Sequence, residues 1–192
     1  MMKWLLPLCA SVWLAGCSDQ NWRTKDISEV MPALDFELID EHGKPVDEEA
    51  YFGKTTLLYF GYTHCPDVCP TTLARLAKAT RQLDDEVRDK VQVLFVSVDP
   101  ARDTPEVLAQ YTDVFGPQFI GLSGEASDLD ALANRFRISY GYGEEDAEGN
   151  YDVNHSSAVF AFNPAGEARL LIRDNDPLEA VVSDIDRLVA KG

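Results

Sequence analysis

Apolar and polar positions follow one another in short stretches, and most of the apolar stretches have the length and residue types of β-strands. The two longest, 54–62 and 91–98, are nearly continuous runs of aliphatic, aromatic and β-branched residues. Such runs are typical of central strands buried on both faces. Turn residues at 41–44 and 163–166 predict two hairpins. The predicted strands are 33–40, 54–62, 91–98, 119–122, 157–162 and 168–172.

Apolar residues at helical spacing separate these strands. Pro70 and Pro105 are each predicted at a first helical position, where the missing N–H is not needed, and Thr104 is the predicted N-cap of the second helix. The alternation of strands and helices, closed by an antiparallel hairpin, predicts an α/β fold with a mixed sheet and helices on both faces. The predicted helices are 70 to about 83, 105 to about 115, 127–136 and 177–189.

Size and composition fit one globular domain. The chain has 192 residues, of which 45% are hydrophobic and 26% are charged, and this length allows one full hydrophobic core. The formal net charge is −16, and an acidic surface repels nucleic acid. We therefore expect no nucleic-acid partner.

The N-terminus has the layout of an exported lipoprotein. Lys3 precedes an apolar run, 4–15, that is too short to span a bilayer as a helix but fits the core of a signal peptide. It leads into Leu-Ala-Gly-Cys at 14–17, which resembles the lipobox in which the cysteine is lipidated. An ordinary secretory signal with a chance cysteine is the alternative. We expect a lipoprotein signal peptide at 1–16, lipidated Cys17 and a tether at 17–30, and the folded domain at 31–192.

Two cysteines of the folded domain lie where the strand 54–62 leads into the helix predicted at Pro70. Cys65 and Cys69 share one face if the first turn is helical, with Cβ atoms roughly 5–6 Å apart. This spacing permits either a disulfide or a shared metal ion. A helix N-terminus also lowers thiol pKa values and favours the thiolate that metal binding and redox chemistry both require.

The three histidines are the candidates for a further ligand. His42, in the turn 41–44, is expected to be exposed, and His64 to be a buried imidazole with one hydrogen bond. His155 precedes the strand 157–162. If the mixed sheet is similar to that of thioredoxins, this position faces the helix that carries the cysteines and is the place where thioredoxins usually have a cis-proline. Position alone leaves open whether His155 is a ligand or a loop histidine.

Three aspartates accompany these residues. Asp67, between the cysteines, is either a weak oxygen ligand or a charge at the helix N-terminus. Asp99 and Asp103 follow the strand 91–98. For Asp103 we expect local turn and cap stabilisation rather than direct catalysis.

Three segments together resemble the Sco/SenC family of copper-binding proteins, in the family's order, within a similarity that extends from about Phe36 to the closing helix. They are GYTHCPDVCPTTL at 61–73, VSVDPARDTP at 96–105 and VNHSS at 153–157. The resemblance implies a thioredoxin-like mixed sheet flanked by helices, with an added N-terminal β-hairpin. It also implies copper, as Cu(I) or Cu(II), with Cys65, Cys69 and His155 as its ligands.

One residue departs from the family pattern. Asn154 stands where many members carry Asp before the histidine, and loss of that carboxylate is expected to loosen control of the His155 imidazole. The donor chemistry agrees with copper, because two thiolates and one imidazole suit this metal. Structural zinc agrees less well, because it normally requires four protein ligands and only three are expected here.

The resemblance implies a copper metallochaperone that delivers copper to the dinuclear copper site of cytochrome c oxidase. Its expected partners are the copper-bearing oxidase subunit and another copper chaperone. The alternative is a thiol–disulfide oxidoreductase in which Cys65 and Cys69 form a redox-active pair that reduces cysteines of the apo-oxidase subunit or another exported partner. A peroxidase fits less well, because the second cysteine follows the first so closely and no arginine is obviously placed to activate the first. A structural disulfide also fits less well, because it leaves His155 and the paired prolines unexplained. The expected location is the periplasmic side of a bacterial membrane, with the lipid anchor placed in the inner membrane in preference to the outer.

Overall fold

The computed structural model describes residues 22–147, 151–154 and 156–191, so the signal-peptide prediction, Cys17 and His155 lie outside the described residues. The strands are β1 Lys25–Asp26, β2 Glu37–Asp40, β3 Pro45–Asp47, β4 Thr55–Gly61, β5 Val91–Ser97, β6 Phe119–Ser123, β7 Gly141–Tyr142, β8 Val153–Asn154, β9 Val159–Phe162 and β10 Ala168–Ile172. The helices are α1 Val68–Thr80, α2 Asp85–Arg88, α3 Pro105–Asp113, α4 Ala126–Arg135 and α5 Leu178–Lys191.

Within the described residues, eight strands form one mixed sheet in the order β1-β10-β9-β4-β5-β6-β2-β3. The strands β4 and β5 are parallel, with Gly61 opposite Ser97, and all their residues are buried. Strand β9 pairs antiparallel with the other side of β4. The mixed sheet, its two hairpins and the flanking helices confirm the predicted fold class. Because β4 and β5 are parallel, the segments that follow Gly61 and Ser97 leave the sheet at the same edge.

Helix α1 begins two residues earlier than predicted. It starts at Val68, so that Cys69 belongs to the helix and Pro70 is its third residue rather than its first. Proline is still tolerated there, because the first four N–H groups of a helix have no partner within the helix. Three members of the predicted inner face, Leu73, Leu76 and Ala77, are on the helix and buried. The helix ends at Thr80 rather than near residue 83, so Leu83 is buried but lies beyond it.

The N-terminal edge of the domain corrects the assignment of 17–30 to a tether. Lys25 and Asp26 form β1, which pairs antiparallel with β10, and Ile27 is part of the core. The carboxylate of Asp184 on α5, fully buried, accepts hydrogen bonds from the amide (2.7 Å) and the hydroxyl (2.9 Å) of Thr24. This stretch can be polar and still belong to the domain, because its contacts are backbone pairing and hydrogen bonds. It is built into the domain, and the tether assignment is wrong for these residues.

Three further short elements were not predicted. The helix α2 is a single turn, and β7 and β8 pair over two residues each to form a separate antiparallel ribbon, which we call the β7–β8 ribbon. Elements this short have too little periodicity to stand out in a sequence. None of the helices in the described part of the chain has the length and apolar character needed to cross a membrane.

Candidate metal centre

The two cysteines lie on either side of the start of α1, at the edge of the sheet where β4 ends. We call residues 62–67, between β4 and α1, the cysteine loop. Cys65 lies in this loop and is half-buried, whereas Cys69 is in the first turn of α1 and is fully buried. Both are thiols in this structure rather than a disulfide. The prediction that they come together at a helix start is confirmed.

The sulfur of Cys65 takes the place of a helix cap. A side chain at the N-cap position usually accepts a hydrogen bond from the second or third helical amide. Here the N-cap residue is Asp67, the third helical residue is Pro70 and has no N–H, and the amide of Cys69 donates instead to Cys65 Sγ at 3.4 Å. The Asp67 carboxylate is exposed and accepts a hydrogen bond from the Thr71 hydroxyl at 3.4 Å. Of the two roles considered for Asp67, the structure therefore supports that of a negative charge at the N-terminus of α1.

The surroundings of the two thiols shift their pKa values in opposite directions. Burial would raise the pKa of the Cys65 thiol, but hydrogen bonds from the amides of Cys69, Asp67 and Val68 outweigh it and lower the pKa. Burial raises the pKa of Cys69 to about 12. Cys65 is thus the accessible sulfur that ionises first. Cys69 loses its proton when a cation or a bond to another sulfur replaces it.

A glycine makes room for the buried sulfur. A Cβ placed on Gly61, the last residue of β4, would lie 2.9 Å from Cys69 Sγ and 2.7 Å from Cε2 of Phe95. Both distances are far below van der Waals contact. Any side chain at this position would therefore push Cys69 or Phe95 out of place.

Asp103 connects the cysteine loop to the end of β5. Its buried carboxylate accepts hydrogen bonds from the Thr63 amide (2.9 Å), the Thr63 hydroxyl (2.6 Å) and the Ser97 hydroxyl (2.5 Å). The expectation of local turn and cap stabilisation is incomplete, because the carboxylate also accepts from Thr63, 40 positions away in the chain. Asp103 therefore also holds the loop that carries Cys65.

The two histidines within the described residues are both on the surface. His42 is exposed, as predicted. The prediction of a buried His64 is wrong, because its side chain is 51% exposed. Its Nδ1 lies 3.1 Å from the Thr63 hydroxyl and 3.6 Å from Asp103 Oδ1. Because Thr63 is hydrogen-bonded to the buried Asp103 carboxylate, the neighbouring His64 ring lies on the outside of the loop.

The β7–β8 ribbon lies across from Cys65. A cavity of about 260 Å³ is lined on one side by the cysteine loop and the start of α1, and on the other by Asp152, Val153 and Asn154. The third predicted ligand, His155, follows Asn154 directly in the sequence. In the described part of the chain, no three side chains of His, Cys, Asp or Glu gather into a metal site.

The sequence analysis missed a group of residues that holds the ribbon to the second motif. Arg102 Nε donates to Asp99 Oδ2 at 2.5 Å, and the Tyr151 hydroxyl donates to Asp99 Oδ1 at 2.7 Å. The Arg102 guanidinium carbon lies 3.6 Å from the centre of the Tyr151 ring. We call Asp99, Arg102 and Tyr151 the Arg102 cluster. The signal available in the sequence was Arg102 inside the motif at 96–105, whereas its partner Tyr151 is distant in the chain.

The residues present fit a soft metal ion. One half-exposed sulfur of lowered pKa and one buried sulfur share a helix start, and thiolates select metals such as Cu(I). The fold and this dithiol define a thioredoxin-like protein with its cysteine pair at the end of a central strand. The chain belongs to the SCO1/SenC family, whose profile matches residues 27–190.

Individual relatives and solved structures of this family are similar to the chain over most of its length. The mouse mitochondrial SCO2 homologue is 33% identical over 185 residues, covering 93% of this chain and 72% of its own length. The solution structure of apo Sco1 from Thermus thermophilus is 36% identical with a TM-score of 0.78, covering 89% of this chain and 99% of that one. The crystal structure of Arabidopsis thaliana ScoI with copper bound is 32% identical with a TM-score of 0.74, covering 83% and 99%. The chain spans about half the length of several other curated relatives.

Proposed function

We propose that this protein is a copper metallochaperone that binds copper through Cys65, Cys69 and His155 and delivers it to the dinuclear copper site of cytochrome c oxidase. The observation that carries the proposal is the pair of thiols at the start of α1. It occurs in a member of a family in which a solved structure holds copper. Cytochrome c oxidase is the target implied by the Sco/SenC resemblance.

The arrangement of the sulfurs suits a cargo that must be passed on. Cys69 is enclosed by the core, while Cys65 borders the open cavity beside the β7–β8 ribbon. An incoming thiol or imidazole of an acceptor reaches copper from the Cys65 side. Cys69 keeps its bond to the metal until last, because its sulfur is shielded from competing ligands.

The same asymmetry favours a second function, that of a thiol–disulfide oxidoreductase. The Cys65 thiolate attacks a partner disulfide and releases one partner thiol, forming a mixed disulfide. Cys69 then displaces the second partner thiol, so the partner gains two thiols and this chain ends with a Cys65–Cys69 disulfide. The lowered pKa and exposure of Cys65 suit the attacking role, and the burial of Cys69 suits the resolving role.

We further propose that the domain is held by a lipid on Cys17 on the periplasmic side of a bacterial membrane, with the inner membrane preferred because the oxidase is assembled there. The support is the lipobox-like sequence at 14–17. The described domain begins close behind it, with β1 at Lys25.

Copper titration of the reduced and oxidised soluble domain tests the main proposal. We expect the reduced protein to take one copper ion per chain and the oxidised protein to take none at this site, because a disulfide sulfur is not a thiolate donor. Mass spectrometry under non-denaturing conditions counts the bound metal, with Cys65→Ser and Cys69→Ser as controls. Copper retained at full stoichiometry by the oxidised protein, or by the Cys65→Ser/Cys69→Ser double variant, would contradict the proposal.

Replacement of Cys17 tests the anchor. The Cys17→Ser protein is expected to lose metabolic labelling by a radioactive fatty acid and to leave the membrane fraction. The folded domain should keep its copper binding, because the substitution lies outside the domain. An unlabelled wild-type protein, or a variant that stays in the membrane fraction, would refute the lipid anchor.

A further inference from the structure

The β7–β8 ribbon needs an external support. Among the described residues its strand pairs are Gly141 with Asn154 and Tyr142 with Val153, extended by a hydrogen bond from the Gly143 amide to the Asp152 carbonyl at 2.7 Å. A two-stranded hairpin is at best marginally stable in water, and this one is shorter than most. Contacts with the rest of the domain therefore decide where the ribbon lies.

The support comes from the loop that follows β5. The Tyr142 hydroxyl donates to the Val98 carbonyl at 2.6 Å, and the Arg102 cluster holds Tyr151. Rings of Tyr142 and Tyr151 meet edge to face with centroids 5.7 Å apart, so the two attachments reinforce each other. Both attach the ribbon to the segment 98–102.

Arg102 is the centre of this support because it contacts three segments at once. Its guanidinium stacks on Tyr151, two residues before β8, binds Asp99 from the second motif, and lies 5.7 Å from the ring centre of Tyr62 in the cysteine loop. Asp99 is fully buried, and its two oxygens are divided between Arg102 and Tyr151. A planar guanidinium can stack and donate in its plane at the same time, whereas a lysine ammonium cannot.

We propose that Arg102 is a positioning residue for copper: it fixes the β7–β8 ribbon against the cysteine loop, and thereby fixes the point beside Cys65 from which the chain continues into His155. This inference rests on the proposed copper function. Asn154, which precedes His155 in the sequence, brings no carboxylate to this end of the ribbon. Positioning in this chain therefore depends on the ribbon's attachment through Arg102.

Copper binding by Arg102→Lys and Arg102→Met tests the proposal. Each variant is expected to bind Cu(II) at least about tenfold more weakly, in line with other residues that orient metal ligands. Cu(I) affinity should change less than about threefold, because two thiolates hold Cu(I) without a third ligand. The matched control is Arg88→Lys, which alters an Arg–Asp pair of the same spacing and distance (2.5 Å) near the opposite end of β4, and should leave both affinities unchanged.

A metal-free readout separates this inference from the function itself. Hydrogen exchange at the Gly143 amide should be at least about tenfold faster in both Arg102 variants, with Arg88→Lys unchanged. Arg102→Met leaves the buried Asp99 carboxylate without its cationic partner, which could impair folding. The Asp99→Asn/Arg102→Met protein removes that charge as well. It should show the same weaker Cu(II) binding and the same faster exchange at the Gly143 amide. If the wild type binds Cu(II) through His155 but the Arg102 variants bind it equally well with unchanged exchange, the positioning role is refuted and the copper function stands. If the wild type binds no copper, the proposed function fails, and the exchange result still decides whether Arg102 holds the ribbon.

Discussion

Replacing His155 with alanine should lower the affinity for Cu(II) at least about 100-fold and remove most of the sulfur-to-copper charge-transfer absorption. Cu(II) requires a nitrogen or oxygen donor beside the two thiolates, whereas Cu(I) is held by two sulfurs in a linear arrangement. The affinity for Cu(I) should therefore fall about tenfold at most. Titration against chelators of known affinity, with absorption spectra of the Cu(II) form, measures both effects.

His64 provides the matched control for this substitution. It is next to Cys65 in sequence, yet its ring is 51% exposed and bonds to Thr63. His64→Ala should leave Cu(II) affinity and spectrum within about threefold of the wild type, because it removes no ligand. The reverse pattern, with loss in His64→Ala and none in His155→Ala, would make His64 the ligand.

The same variant distinguishes the two proposed functions. Disulfide exchange depends on the thiolate fraction and accessibility of Cys65 and on the pKa of the leaving group, and none of these requires an imidazole at 155. His155→Ala should therefore retain most of its thiol–disulfide exchange. Unchanged Cu(II) binding in this variant would leave a plain dithiol, and the oxidoreductase function would then be preferred.

The parts of the fold that the sequence predicts well are those whose signals are local. The strands β4 and β5 were predictable because both are buried along their whole length and consist mostly of apolar and β-branched residues. The cap of α3 was predictable because its signal is also local: the Thr104 hydroxyl accepts a hydrogen bond from the Val107 amide, and Pro105 follows Thr104 directly. Cys65 and Cys69 belong to this group, because they are only four residues apart at a helix start, where the Cys69 amide donates a hydrogen bond to the Cys65 sulfur.

The parts that could not be predicted depend on residues distant in the chain. Thr24 is polar and its neighbourhood has no periodicity, yet it is buried against Asp184, 160 positions later. The exposure of His64 follows from the bond between Thr63 and Asp103. From the sequence alone, Arg102 would be interpreted as a surface arginine in a turn, because its contact with Tyr151 is seen only in the folded structure. In each case a polar residue has its partner in another element, and hydrophobic patterning carries no information on such pairs.

Asp103 is the polar residue whose loss should damage the site most, through the loop that carries Cys65. Asp103→Ala removes an acceptor of three hydrogen bonds in the interior and leaves the Thr63 amide and the Ser97 hydroxyl without it. We expect the free energy of unfolding to fall by about 3 kcal/mol, within the range for unsatisfied buried polar groups. Urea denaturation of the metal-free protein measures this loss.

The copper affinity of the Asp103→Ala protein should fall for both oxidation states, because the substitution acts on the loop that carries Cys65 and not on the third ligand. This differs from His155→Ala, which is expected to lower the affinity for Cu(II) far more than the affinity for Cu(I). Asp103→Asn is the control: its amide oxygen can still accept from the Thr63 amide and Ser97, while the Thr63 hydroxyl turns to accept from the amide nitrogen. It should recover more than half of the lost stability and of the lost Cu(I) affinity. If Asp103→Ala loses stability but binds both copper ions like the wild type, the loop is held without Asp103, and its role is confined to joining the ends of β4 and β5.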